Sequence, residues 1–207
     1  MDNSVNATNN AQDDDVSFIK AFQTGDKSAF DKLVLKYQDK IFNLCFRFLG
    51  DHEDTNDCAQ EIFLKVFKAL KKFRFESTFF TWLYRITINT CETRSNSLEH
   101  KYRKRTVSID NPGTIGNLNL SMNITDNCSS PIEKLEQKER KTLIQDAINS
   151  LSSDHKIVII LRDIEQLSYE EIAITIGFDL GTVKSRLSRA RIELRKILER
   201  VMGNGMS

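Results

Sequence analysis

The chain has 207 residues, 40% of them apolar, with 30 Lys and Arg against 29 Asp and Glu. That length suits one large or two small domains with real cores, and a net charge of +1 excludes any inference about partners from total charge. With three His, and four Cys that form no CxxC, no zinc site is expected, and neither a metal nor a cofactor is assigned.

Residues 1–15 carry four Asp and no basic residue. They lack the basic and apolar regions of a signal peptide and read as an acidic disordered tail. The longest aliphatic run, Ile157 to Leu161, is too short to cross a bilayer. The expected location is therefore cytoplasmic, with reduced thiols and no membrane insertion.

From residue 16 the pattern is helical. Leu33, Val34, Tyr37, Ile41, Leu44 and Leu49 form one apolar stripe, and Ile62, Phe63, Val66, Phe67 and Leu70 form a second. Asp54 and Asp57 suit a helix start, where the dipole favours negative charge. Gln60 and Glu61 precede the second seam and can offer polar groups to a partner helix. Phe73-Arg74-Phe75-Glu76-Ser77-Thr78 lies between helical patterns and supplies two rings, a cation and two hydroxyls. Phe79, Leu83 and Ile86 begin a third stripe, with Asn89 on the same helix. Arg94 to Arg105 holds five basic residues against Glu99.

Pro112 and Pro131, the chain's two prolines, fall in a polar stretch that reads as a flexible linker over 98–131. At about 33 residues it reaches roughly 110 Å extended and roughly 30 Å as a coil. One turn of DNA is about 34 Å, so domains on this tether can engage sites more than a turn apart. No period-2 stretch with hairpin chemistry occurs. The expectation is all-α, with two small helical domains at 16–97 and 132–202.

The second domain contains a helix-turn-helix pattern. Ser168 and Glu171 form a capping box, Ile172, Ala173 and Ile176 face inward, and Gly177 ends the helix. Asp179 or Gly181 opens the next helix, anchored by Val183 and Leu187. Its outer face carries Thr182, Lys184, Ser185, Arg186, Ser188 and Arg189, groups that can bond phosphates or base edges. From Gly181 to Arg200 there are seven basic residues against Glu193 and Glu199.

The segment "LSSDHKIVIILRDIEQLSYEEIAITIGFDLGTVKSRLSRARIELRK" resembles region 4 of the sigma-70 family, with Ser152 where Pro is usual. "DKSAFDKLVLKYQDKIFNLCFRFLGDHEDTNDCAQEIFLKVFKAL" and "FRFESTFFTWLYRITINTC" resemble the two halves of region 2. The resemblance is to the extracytoplasmic-function class. It implies a promoter-specificity subunit that binds RNA polymerase core, reads minus-35 and minus-10 elements and melts the latter.

By that resemblance, Asp57, Gln60, Glu61 and Phe63 meet the beta-prime clamp helices, and the beta flap is a further contact. Phe73, Arg74, Ser77, Thr78, Trp82, Arg85 and Asn89 are implied in minus-10 DNA, and Thr182, Lys184, Ser185, Arg186, Ser188 and Arg189 in minus-35 DNA. Phase and reach separate Arg186 and Arg191 from the base-facing group, as phosphate or structural contacts. Phe75 stands where the family commonly has Gly, and Ser188 where a bulkier residue is common. An anti-sigma factor is a partner that membership admits, although no residue identifies one. The competing reading is a stand-alone helix-turn-helix regulator. An enzyme is not expected, since no carboxylate–His cluster with metal-ligand character, no Gly-rich phosphate loop and no nucleophile motif occurs.

Overall fold

The apolar stripes become helices wherever the sequence also supplies their ends. The computed structural model describes residues 14–106 and 131–204, with side chains placed for 14–97 and 139–201. In the first block, α1 covers 14–23 in its described part, and α2 (Ser28–Leu49), α3 (His52–Leu70) and α4 (Phe79–Thr106) follow. Among the described residues there is no strand.

Gly50 ends α2 at φ 75°, and its amide donates to the Phe46 carbonyl at 2.8 Å. Glycine suits this point because its φ is left-handed, and a Cβ there would also lie 2.7 Å from Asn149 Nδ2 and force that side chain to shift. Asp51 then caps α3, accepting from the Asp54 amide at 2.9 Å. A stop and a start on adjacent residues fold α3 back along α2. The seam closes over Leu33, Ile41, Leu44, Ile62, Val66 and Leu70. Leu83 and Ile88 bring α4 onto the same core.

Two expected boundaries fall elsewhere. Asp15, read as part of a disordered tail, is a buried residue of α1. The Tyr37 hydroxyl and the Lys36 ammonium each donate to its carboxylate at 2.5 Å, which offsets the cost of burying the charge. Burial and this anion push the Tyr37 hydroxyl well above its ordinary range. Helix α4 also continues past residue 97 to Thr106, so the start of the expected linker is helical. The remainder of that linker, 107–130, lies outside the described residues.

The second block contains α5 (Pro131–Asn149), α6 (Ser153–Ile159), a π turn (Ile160–Ile164), α7 (Tyr169–Ile176) and α8 (Leu180–Asn204). Proline suits the start of α5, where an amide has no helical acceptor. The aliphatic run Ile157 to Leu161 is buried and helical.

The two blocks pack against each other. Ile157, Ile160, Leu161, Ile172 and Val183 join the core cluster of the first block. Gln145 Nε2 donates to the Arg47 carbonyl at 3.1 Å, and Lys156 Nζ to the Phe48 carbonyl at 3.3 Å. The Tyr84 hydroxyl donates to Glu165 Oε2 at 2.7 Å.

Candidate functional site

Three surfaces collect the residues singled out in the sequence. The first lies along α2 and α3. Gln60 and Phe63 line an apolar groove of about 720 Å³, together with Val34, Phe42, Leu64 and Phe67. Its rim exposes Leu64 by 60%, and Leu35 on α2 stands 69% exposed. Exposed leucines beside an open apolar groove are a feature of a surface that meets a partner. The two acids of the same signature do not line it. Glu61 turns aside to pair with Lys65 at 2.8 Å. Asp57 is held by Arg94 at 3.0 Å, which also takes Asp54 at 3.0 Å. The two Arg94 ion pairs fasten α4 to the start of α3, a role the sequence spacing could not reveal.

The second surface is the 73–78 loop with the first turns of α4. Phe73, Arg74, Ser77, Trp82 and Arg85 line one recess of about 620 Å³. Arg74 is nearly free of cover, with 84% of its side chain exposed, whereas Phe73 is buried. Trp82 is half-buried, and its ring lies 5.0 Å from that of Phe73 and 5.9 Å from that of Phe79. Thr78 serves α4 instead: its hydroxyl accepts from the Thr81 amide at 3.1 Å. Asn89 is exposed further along α4 and does not line the recess. Phe75 has φ 59°, the left-handed region that glycine enters at least cost. That accounts physically for the glycine common at this position in the family. Ile174, from α7, also lines the recess, so the second block reaches the edge of this surface.

The third surface is α7 and α8. The capping box forms as expected: the Glu171 amide donates to Ser168 Oγ at 3.1 Å and the Ser168 amide to Glu171 Oε2 at 2.8 Å. Gly177 ends α7 at φ 74°. Of the two candidates for opening the next helix, Asp179 does so, accepting from the Thr182 amide at 2.9 Å. The Thr182 hydroxyl and amide hold the Asp179 carboxyl below its usual range. Val183 and Leu187 are buried, as anchors should be.

Lys184, Ser185, Ser188 and Arg189 are exposed on one face. Arg189 makes no ion pair among the described residues. Arg186 differs: it pairs with Asp154 at 3.2 Å and stacks over Phe178 at 4.1 Å. Arg191 is held by Asp163. Both arginines therefore secure α8 to its own domain. Thr182 is half-buried and bonds Asp179, so it too acts in the turn.

Two family models match these bodies. "Sigma-70 region 2" matches residues 33–98 and "Sigma-70, region 4" matches residues 141–194. The chain belongs to the sigma-70 family. It is 38% identical over 188 residues to the RNA polymerase sigma-H factor of Pseudomonas aeruginosa, covering 91% of this chain and 95% of that one. It is 37% identical over 177 residues to the ECF RNA polymerase sigma-E factor of Escherichia coli, covering 86% and 90%. These relatives place it in the extracytoplasmic-function class.

Among solved structures, CnrH in complex with the cytosolic domain of CnrY matches with a TM-score of 0.63 at 21% identity, covering 90% of this chain and 98% of that one. The sigma factor RpoE of Bartonella quintana, in complex with the anti-sigma factor NepR, matches with a TM-score of 0.60 at 22% identity, covering 82% and 96%. These likenesses support the fold. The family match makes the first surface part of region 2 and the third part of region 4. Among the described residues, no helix is long and apolar enough to cross a membrane.

Proposed function

We propose that this sigma factor divides its work among the three surfaces. It is a promoter-specificity subunit that acts with RNA polymerase core and promoter DNA. The α2–α3 groove around Gln60 and Phe63 receives a helix pair of the polymerase clamp. The recess formed by Phe73, Arg74, Ser77, Trp82 and Arg85, with Asn89 further along α4, takes single-stranded minus-10 DNA. Unstacked bases suit such a site because ring faces and edge-reading polar groups lie together. Lys184, Ser185, Ser188 and Arg189 read the minus-35 element in the major groove. An anti-sigma factor that covers one of these faces would silence the subunit.

The observation that carries this reading is the exposed apolar groove on region 2. A stand-alone helix-turn-helix regulator has no use for it, whereas a polymerase subunit needs such a docking face. The test is transcription from duplex promoters by core polymerase with and without the protein. Promoter-specific transcripts should require the protein, and the variant Gln60→Ala/Leu64→Ala should lose core affinity with helix content unchanged. Loss of more than about 1 kcal/mol is the scale expected for a central interface pair. Unchanged core affinity in this variant would remove the groove from the interface.

A further inference from the structure

Three thiols that lie far apart in the sequence converge inside region 2. Cys45 comes from α2, Cys58 from α3 and Cys91 from α4, and none has any solvent exposure. The Cys91 sulfur lies 3.6 Å from that of Cys45 and 3.8 Å from that of Cys58. All three sulfurs lie within 4.8 Å of one another. Three sulfurs that share one ion at about 2.3 Å, in one plane with it, stand about 4 Å apart. The thiols are thus already close to ligand spacing.

A second feature borders the cluster. Arg94 lies on α4 one turn beyond Cys91, and its partners Asp54 and Asp57 lie on α3 next to Cys58. Its Nε is buried without a hydrogen-bond partner among the described residues.

We propose that Cys45, Cys58 and Cys91 form a trigonal thiolate site for a soft ion of the copper(I) class. Thiolates select soft ions, whereas zinc completes a tetrahedron with a fourth protein ligand or a water. Among the described residues no His, Cys, Asp or Glu adds a fourth donor to the group. The sulfurs are sealed from solvent, so water does not fill the position either. Binding requires α2, α3 and α4 to part transiently and admit the ion with water; each S–H then gives its proton to that water as a metal–sulfur bond forms. One copper(I) and three thiols therefore give three protons and a site of charge −2; the neighbouring cation, Arg94, is shared with Asp54 and Asp57. No electron is transferred. The ion ties α2, α3 and α4 together directly behind the face that carries Gln60 and Phe63.

The test is an anaerobic titration of the full chain with copper(I) held by a chromophoric chelator, with zinc titrated in parallel. The protein should withdraw one equivalent of copper and develop a thiolate-to-copper charge-transfer band. X-ray absorption should count three sulfur neighbours. Cys91→Ser should weaken retention by at least about tenfold, the lower end of what disturbing a metal's surroundings costs. Cys128→Ser should leave it unchanged. Should Cys91→Ser lose helix content, the sulfur count in the unmodified protein decides the matter alone. Failure to withdraw copper, a count below three, loss through Cys128→Ser, or tight zinc in place of copper would overturn the site.

Discussion

At φ 59°, Phe75 occupies backbone space in which a side chain is strained by roughly 1–2 kcal/mol. Its ring recovers part of that by resting 5.1 Å from Phe73. Phe75→Ala loses the ring and keeps the strain, whereas Phe75→Gly loses the same ring and releases it. Urea denaturation should therefore find the glycine variant more stable than the alanine variant by about 1 kcal/mol. Equal stabilities would mean that the loop relaxes freely. Arg189 belongs to the same scale, since it is exposed and without an ion-pair partner among the described residues. Arg189→Ala should cost about 1–3 kcal/mol of promoter affinity and relax preference at one base pair. A uniform loss over all sequences would make it a phosphate contact. Exposure of Arg189 was legible from helical phase alone. The left-handed backbone at Phe75 was not, because the sequence offers a bulky ring where the geometry suits glycine.

Helix ends were the most legible elements. The Ser168 and Glu171 box, the Gly177 stop and the Asp179 start all rest on short-range chemistry that a sequence displays directly. Ser168→Ala should cost about 1 kcal/mol of stability, read by thermal or urea unfolding, with Glu171 left reaching for the same amide. A change near zero would show that water replaces the hydroxyl without loss. The elements misjudged were those whose order depends on distant partners. Asp15 is helical and buried because Tyr37 and Lys36 receive it, and neither is near in sequence. The same blindness affected Asp57 and Glu61, which a signature groups with Gln60. Their ion pairs with Arg94 and Lys65 turn them from the groove that Gln60 lines. It follows that Glu61→Ala alone should change core polymerase binding less than Gln60→Ala/Leu64→Ala, measured by the same titration. The cysteine cluster was illegible for a related reason: the thiols come from three helices, and spacing rules register only local pairs.

For the whole molecule, the sequence implied two domains on a tether, and the structure places them in contact. The Tyr84 hydroxyl meets Glu165 at the interface. Burial first, and then that carboxylate, push the Tyr84 hydroxyl well above its ordinary range. Tyr84→Phe removes the bond with little change in shape. It should weaken the docking of region 4 by about 1 kcal/mol, a shift of about fivefold toward separated domains. Energy transfer between dyes on the two regions would read this, and an unchanged distance distribution would mean that apolar packing alone holds them.

Ile174 gives this contact a kinetic meaning. It stands on the wall of the recess assigned to single-stranded DNA, yet it belongs to the other domain. A strand that needs that wall cleared must wait until α7 withdraws, however much DNA is present. The capture rate of the isolated subunit should therefore level off as strand concentration rises, at a ceiling set by the unimolecular departure of α7. If binding to core polymerase parts the two domains, the same strand mixed with that complex should be captured at a rate that climbs in proportion to its concentration.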